Sequence, residues 1–199
     1  MTNILIATFN NNKRKELKTL LRWERGVKVM SLDDTKMNPP MIVEDGKTFR
    51  ENAVKKAVTM SRFFDGLVIA DDSGLEVNAL DGKPGVRSAR FARKNATDKE
   101  NNVKLLNLLE NVPEKKRSAR FVCHIALARG GELLDTFEGH ISGKILFKGR
   151  GANGFGYDPL FVADGHEKTF AEFSASYKNR ISHRAEALKK LKKELCRHI

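Results

Sequence analysis

The sequence predicts an α/β fold, because short apolar runs typical of buried strands alternate with segments of helical character. Residues 3–8 and 67–70 are apolar runs of this kind, which favour strands. Thr48 and Thr97 each precede a Glu by three residues, which is the capping-box pattern of a helix start. Strands and helices that alternate along the chain are typical of the α/β class.

The first strand leads into a polar turn, Thr8-Phe9-Asn10-Asn11-Asn12-Lys13, and then into a helix. Backbone N–H groups and the positive end of the helix dipole point at such a turn, so it can bind an anion. Lys13 opposes this dipole unless a phosphate binds there. The alternative is a plain loop in which an Asn caps the helix. The apolar side of the helix contains Leu17, Leu20 and Leu21.

A second helix follows a loop that carries a carboxylate. Residues 27–32 predict a second strand, and Glu44 lies in the connection that follows. The helix starts at Thr48 and carries apolar residues at helical spacing: Phe49, Ala53, Ala57 and Met60. Glu44 is either solvated or, if the helix start lies near Asp72, an oxygen ligand for a metal. On its own evidence Lys56 is a surface lysine.

The stretch from residue 67 to residue 74 combines a buried strand with polar side chains. Four apolar residues lead directly into Asp71, Asp72, Ser73 and Gly74. Neighbouring strand residues point to opposite faces, so both carboxylates reach one ligand only if the strand bends, which Gly74 permits. A carboxylate at the end of a buried strand can hold Mg²⁺ or take a proton from water. The alternative is an ordinary turn after the strand.

The following segment continues the alternation of strands and helices. Residues 75–80 alternate and predict a continued strand, and the helix that starts at Thr97 contains Val103, Leu106 and Leu109. Residues 118–129 alternate apolar and polar positions, which predicts a half-buried strand. Gly130 and Gly131 then predict a tight hairpin.

A glycine-rich segment precedes two aromatic residues. Residues 149–154 match the dinucleotide-binding pattern, but Pro159 disfavours the helix that such a site requires. We therefore expect no NAD site. The glycines let the backbone bend around a flat ligand, with Phe155 and Tyr157 as aromatic faces and Asp158 as a hydrogen-bond acceptor. Alternatively, the two aromatic residues belong to the core of a turn.

The last helix begins with two potential cations. Ser182 can cap it, and its apolar side contains Ala185, Leu188, Leu191 and Leu195. His183 and Arg184 then oppose the helix dipole in the first turn. Such an unfavourable local choice is typical of functional sites, and both side chains can donate hydrogen bonds to carbonyl oxygens.

Composition restricts the possible classes of protein. The chain has 199 residues, 40% hydrophobic and 31% charged, with a net charge of +12, which is typical of one globular domain over residues 1–199. No segment is apolar enough for a membrane span or signal peptide, so we expect a cytoplasmic protein. Cys123 and Cys196 are two thiols without CxxC spacing, which argues against a disulfide framework and a zinc site.

Six motifs together resemble the inosine/xanthosine triphosphate pyrophosphatase family, and they occur in the family's order along nearly the whole chain. The matching motifs are Thr8-x-Asn10-x-x-Lys13, Glu44 with Thr48-Phe49-x-Glu51-Asn52-Ala53, Asp71-Asp72-Ser73-Gly74-Leu75, Pro84-Gly85 with Ser88-Ala89-Arg90, Phe155-Gly156-Tyr157-Asp158-Pro159, and Ser182-His183-Arg184. Phe9 departs from the small residue that the family often has at that position.

The resemblance implies Mg²⁺-dependent hydrolysis of deaminated purine nucleoside triphosphates, such as ITP, dITP and XTP, to the monophosphate and pyrophosphate. It also implies an α/β fold with a long mixed central sheet, flanking helices, two lobes around a nucleotide-binding cleft, and a homodimer. Asp72 would be the general base and, with Glu44, hold the metal. The implied substrate-binding residues are Thr8, Phe9, Asn10, Asn11, Asn12, Lys13, Lys56, Ser73, Phe155, Gly156, Tyr157, Asp158, Lys178, His183 and Arg184.

Two other functions compete with this one. The first is a pyrophosphatase that removes other modified nucleotides. The second is a nucleic-acid-binding module that uses the basic C-terminal region, since residues 177–199 contain eight Lys or Arg and two Glu. That basic region has no aromatic residue among its lysines from residue 184 onward, although base stacking would need one, so we expect no nucleic-acid partner. We also expect no membrane partner, because no apolar run approaches the length of a membrane span.

Overall fold

The computed structural model describes residues 2–22, 26–195 and 197–198, which form a six-stranded sheet with flanking helices. In chain order the strands and helices are β1 (Thr2–Ile6), α1 (Asn11–Leu21), β2 (Val27–Ser31), α2 (Phe49–Ser61), β3 (Leu67–Val77), α3 (Asp98–Leu108), β4 (Ser118–Arg129), β5 (Glu132–Ile145), β6 (Phe161–Ala163), α4 (Ala175–Ile181) and α5 (His183–Leu195). The predicted α/β class is confirmed.

The sheet is mixed, with the strand order β2-β1-β3-β4-β5-β6. Strand β1 pairs in parallel with β2 and β3, whereas β5 and β6 are antiparallel. Strands β4 and β5 are joined by Gly130 and Gly131, both at positive φ, as the predicted hairpin requires. The sheet is therefore both long and mixed, as the family resemblance implies.

The chain forms two compact units. Unit 1 contains Met1–Asp72, Cys123–Gly139 and Arg184–Ile199, and unit 2 contains Ser73–Val122 and His140–His183. Strands β3, β4 and β5 each contribute residues to both units. A single domain with a nucleotide-binding cleft stays a prediction.

Unit 1 is a three-layer arrangement, in which the faces of β3 pack against different helices. Leu67 and Ile69 belong to one core cluster with residues of α1 and α5. Val68 and Ala70 belong to another cluster with residues of α2. Because successive strand residues point to opposite faces, β3 is buried on both sides, which explains its continuous apolar sequence.

Unit 2 has its own core, built on the second half of β3. Its apolar cluster includes Leu75, Leu105, Leu109, Phe161 and Phe170. The predicted apolar side of α3 is only partly right: Leu109 is buried and Leu106 is partly buried, but Val103 is 50% exposed. Leu105, which was not predicted, is buried.

Three further predictions concern single segments. The strand predicted for residues 75–80 ends at Val77, and a 3₁₀ turn follows over Asn78–Leu80. Cys123 is buried in the core of unit 1, and Cys196 lies outside the described residues. In the described part of the chain, no helix has the length and apolar character needed to cross a bilayer.

A buried arginine ties α3 to β5 within unit 2. Arg117 is 1% exposed, and its guanidinium donates hydrogen bonds to four backbone carbonyls. Two of them, Leu109 O and Val112 O, follow the end of α3, where helix carbonyls lack partners in the helix. The other two, Ile145 O and Leu146 O, end strand β5. The Arg117 side chain therefore supplies hydrogen-bond donors to the backbone carbonyls at the C-terminal ends of both α3 and β5.

We expect Arg117→Lys to lower the free energy of unfolding by about 3 kcal/mol, because one ammonium cannot replace a planar donor to four buried carbonyls. Urea denaturation followed by circular dichroism measures this loss. The matched control is Arg120→Lys, since Arg120 is half exposed and pairs with Glu76; here we expect a loss below about 1 kcal/mol. Equal losses in the two variants would contradict the assignment.

Candidate active site

The turn after β1 is organised by its own side chains. Strand β1 ends at Ile6, and Asn10 caps α1 by accepting hydrogen bonds from the N–H groups of Asn12 (3.0 Å) and Lys13 (3.1 Å). Thr8 Oγ1 accepts from the Asn10 N–H at 3.2 Å. The predicted asparagine cap is therefore present, and Lys13 lies in the first turn of the helix.

Strand β3 does not end at Ala70, so the alternative interpretation of residues 71–74 as an ordinary turn is wrong. The strand continues from Leu67 to Val77, although its neighbour β1 pairs with it only as far as Ile69. Asp71 and Asp72 therefore lie where the parallel neighbour stops and the 8–13 turn begins. The prediction that Asp71 and Asp72 lie at the end of their own strand is therefore wrong, since both lie inside β3, beside the point where β1 stops.

Asp71 lies on the face of β3 that packs against α1 and α5. It is fully buried, and its Oδ2 is 3.3 Å from Lys13 Nζ and 3.4 Å from both Nε and Nη2 of Arg184. Arg184 also forms an ion pair with Glu16 through Nη1. One carboxylate thus connects the lysine of α1 with the arginine of α5.

Asp72 lies on the opposite face, which packs against α2. Its Oδ2 accepts a hydrogen bond of 3.0 Å from Asn52 Nδ2, and its Oδ1 is 3.8 Å from Lys56 Nζ and 4.0 Å from Lys13 Nζ. Asn52 and Lys56 are four residues apart in α2, so both side chains point to the same side of the helix. The strand did not have to bend, since Lys13 approaches both carboxylates.

Glu44 joins this cluster through Lys56. Its Oε2 is 3.1 Å from Lys56 Nζ, and its side chain is 38% exposed. The loop that carries Glu44 is held to α2, because the Gly46 N–H donates a hydrogen bond of 2.8 Å to Asn52 Oδ1. Asn52 therefore binds Asp72 with one end of its amide and the Glu44 loop with the other.

The two neighbouring aspartates have pKa values displaced in opposite directions. Burial by itself raises the pKa of Asp71, but the charges of Lys13 and Arg184 outweigh burial and hold this pKa well below its usual range. Burial also raises the pKa of Asp72, and Lys13 and Lys56 offset this only in part, so that pKa remains above its ordinary value.

Three further predicted site residues of the 8–13 turn are exposed, and Ser73 is partly exposed in β3. Phe9 is 70% exposed, and Asn11 and Asn12 are exposed as well. Ser73 is half-buried in β3. All four stay predicted contacts for a substrate.

Unit 2 brings together the predicted residues around Phe155. Asp158 Oδ2 accepts a hydrogen bond of 2.9 Å from the Phe155 N–H and forms a buried ion pair with Lys178. Lys178 Nζ lies 4.6 Å from the centre of the Phe155 ring. Tyr157 is 4% exposed and its hydroxyl donates to Ser88 O at 2.9 Å. The alternative prediction of two core aromatic residues therefore holds for Tyr157, whereas Phe155 is half-buried.

His183 is also buried in unit 2, as the first residue of α5. Its ring stacks on Phe121, with centroids 4.9 Å apart and planes at 11°. The next residue, Arg184, belongs to unit 1. The structure therefore assembles the predicted residues in two groups, one around Asp72 in unit 1 and one around Phe155 in unit 2.

The sequence analysis gave no role to three residues of the unit 1 cluster: Glu16, Asn52 and Asp71. Helical spacing contained a signal for two of them. Glu16 is three residues after Lys13, and Asn52 is four residues before Lys56, so each shares a helix face with a predicted residue. No local pattern pairs Asp71 with Arg184, since 113 residues separate them.

Comparisons with known proteins show what this chain is similar to. The chain is 50% identical over 191 residues to the dITP/XTP pyrophosphatase of Bacillus licheniformis, covering 96% of each chain, and 48% identical over 195 residues to that of Shouchella clausii, covering 98% of this chain and 97% of the relative. A HAM1 protein structure from Coxiella burnetii superposes with a TM-score of 0.88 at 40% identity, over 99% of this chain and 100% of that one. The sequence matches the Ham1 family over residues 4–194, and the chain therefore belongs to the Ham1 family.

Proposed function

We propose that this protein hydrolyses deaminated purine nucleoside triphosphates, such as ITP, dITP and XTP, to the monophosphate and pyrophosphate. The observation that carries the proposal is the Asp72 carboxylate, which is largely buried and lies within 4.0 Å of both Lys13 Nζ and Lys56 Nζ. A carboxylate beside two cations suits the activation of water next to a polyphosphate. The curated relatives named dITP/XTP pyrophosphatase support the same substrate class.

Asp72 takes the role of general base. Its raised pKa makes it a better proton acceptor than an ordinary aspartate. Asn52 binds Oδ2, which orients the carboxylate and directs Oδ1 towards the lysines. In this arrangement Oδ1 accepts the proton of the attacking water, while Lys13 and Lys56 offset the negative charge of the phosphates.

The 8–13 turn and neighbouring residues bind the triphosphate. Lys13 is the central contact, because Asp71 fixes its ammonium group near Asp72. The assigned phosphate-binding residues are Thr8, Phe9, Asn10, Asn11, Asn12, Lys13, Lys56 and Ser73. Cleavage between the α and β phosphates follows from the family resemblance.

The acidic residues fit a Mg²⁺ ion. Glu44 and Asp72 both lie next to the Lys56 ammonium, at 3.1 and 3.8 Å, so these two carboxylates already share one cation. Within the described residues, no group of three or more His, Cys, Asp or Glu could hold a metal. Mg²⁺ commonly binds one or two protein carboxylates together with substrate phosphates. When bound, the ion would neutralise phosphate charge and polarise a phosphoryl oxygen.

The residues around Phe155 recognise the base. We assign this role to the predicted residues of unit 2 that are not part of its apolar core: Phe155, Gly156, Asp158, Lys178 and His183. Hypoxanthine and xanthine carry a 6-keto acceptor, whereas adenine carries a 6-amino donor. A donor supplied by His183 would therefore remain unpaired opposite adenine, which is costly for buried groups. Arg184, which Asp71 and Glu16 hold within unit 1, stays a predicted contact.

A homodimer and a cytoplasmic location stay predictions from the sequence. Both agree with an enzyme that acts on free nucleotides.

Incubation of the protein with ITP and Mg²⁺ should yield IMP and pyrophosphate, separated by ion-exchange chromatography. We expect XTP and dITP to behave alike, and kcat/KM for ATP to be lower by at least about a hundredfold, since a mismatched buried hydrogen bond discriminates strongly. IDP and phosphate as products would reject the proposed cleavage. Comparable rates on ITP and ATP, or preference for a modified pyrimidine triphosphate, would reject the proposed substrate class.

Asp72→Asn should lower kcat for ITP by about a thousandfold, because an amide cannot accept the proton from water. The shape is conserved and Asn52 keeps an acceptor, so the melting temperature should remain close to that of the unmodified protein. Asp81→Asn is the control, since Asp81 is exposed at φ 52° and asparagine tolerates this conformation. Near-normal turnover by Asp72→Asn would exclude Asp72 as the base.

A further inference from the structure

Gly156 is a point of backbone freedom in the loop of residues 151–160, here called the Phe155 loop. It lies between two aromatic residues, Phe155 and Tyr157, and has φ +63°. No atom lies within 4 Å of the position that a Cβ would occupy, so the backbone conformation, and not lack of space, favours glycine here. Glycine also loses more conformational freedom on ordering than any other residue. The Phe155 loop therefore needs contacts with other parts of the protein to keep one conformation.

Two side chains of α3 supply that restraint. Asp98 Oδ2 accepts a hydrogen bond of 2.6 Å from the Gly156 N–H. Asn102 Nδ2 donates one of 3.0 Å to Gly156 O. The N–H belongs to the peptide group before Cα of Gly156 and the carbonyl to the peptide group after it. Because both flanking peptide planes are held, both dihedral angles of Gly156 are fixed.

The geometry of α3 explains how one helix holds both groups. Asp98 and Asn102 are four residues apart, so they point to the same side of the helix. The helix start is capped by Thr97 and Glu100, which form a complete capping box, and the Asp98 carboxylate is therefore available for Gly156. Neither bond could be expected from local sequence, since the partners are 58 and 54 residues apart.

Helix α3 is itself a rigid support. Leu105 and Leu109 anchor it in the core of unit 2, and Arg117 binds the carbonyl of Leu109 at its C-terminal end. Asn101 binds the backbone of the segment before the helix, at Ala92 N–H and Ala89 O. The restraint on Gly156 thus originates from a packed element and not from another loop.

We propose, resting on the proposed function, that Asp98 and Asn102 are positioning residues for base recognition. They hold Gly156 so that Phe155 keeps one orientation before the nucleotide arrives. Binding of the nucleotide then does not have to order the loop. The free energy of binding therefore does not include the entropy cost of that ordering, and the base is bound more tightly. The effect belongs to recognition of the base and not to the chemical step, which Asp72 performs elsewhere in the chain.

The test uses Asp98→Ala and Asn102→Ala, with Asn107→Ala as control, because Asn107 is an exposed asparagine of the same helix. We expect KM for ITP to rise about tenfold in Asp98→Ala, the loss of one charge-assisted hydrogen bond, with kcat changed less than about twofold. Asp98→Asn keeps an acceptor oxygen and should restore most of the affinity. Asn107→Ala should behave like the unmodified protein.

Two measurements separate positioning from a general loss of structure. Hydrogen exchange of the peptide covering residues 151–160 should become at least about tenfold faster in Asp98→Ala, while exchange of β4 is unchanged. Calorimetry should show weaker binding of inosine monophosphate and unchanged binding of pyrophosphate. Unchanged exchange, or equal weakening for both ligands, would overturn the assignment. Failure of the unmodified protein to hydrolyse ITP would instead reject the proposed function, and the exchange result would still decide whether the two side chains hold the loop.

Discussion

The structure of unit 1 depends on two adjacent buried carboxylates that must be neutralised. Burying an isolated charge is very costly, so each aspartate needs cations close by. The protein meets this need with seven side chains of alternating charge, each within 4.0 Å of the next. In order they are Glu16, Arg184, Asp71, Lys13, Asp72, Lys56 and Glu44. The cluster joins helices α1, α2 and α5 to strand β3.

The alternation of a β-strand determines which helix each carboxylate meets. Asp71 follows the side of β3 that carries Leu67 and Ile69, and so faces α1 and α5. Asp72 follows the side of Val68 and Ala70, and so faces α2. If β3 were bent at this point, Asp71 and Asp72 would no longer face different helices. Lys13 contacts both carboxylates because β1 ends early and its turn lies beside residues 71 and 72.

The sequence allowed most of the strands and helix starts to be predicted, because these depend on local periodicity and on capping patterns, whereas β6 and α4 were not predicted. Thr48 and Thr97 begin helices as expected, and Ser118–Arg129 is a strand over its predicted length. Contacts between residues that are far apart in the sequence were not predicted. The end of β3 was misplaced because Asp, Ser and Gly favour turns locally, while pairing within the sheet outweighed that preference. The contacts of Asp98 with Gly156 and of Asp71 with Arg184 have no local signature.

The pKa values of Asp71 and Asp72 are displaced in opposite directions, which gives the two neighbouring carboxyl groups different properties. Burial acts on both carboxyl groups in the same direction, so the neighbours decide the difference. Asp71 binds an arginine and a lysine directly and stays an anion, which suits a residue that holds other charges in place. Asp72 has its lysines at 3.8 and 4.0 Å and accepts a hydrogen bond of 3.0 Å from the neutral amide of Asn52. Its carboxyl group therefore keeps a pKa above the ordinary value, which is the basicity that the proposed proton transfer requires.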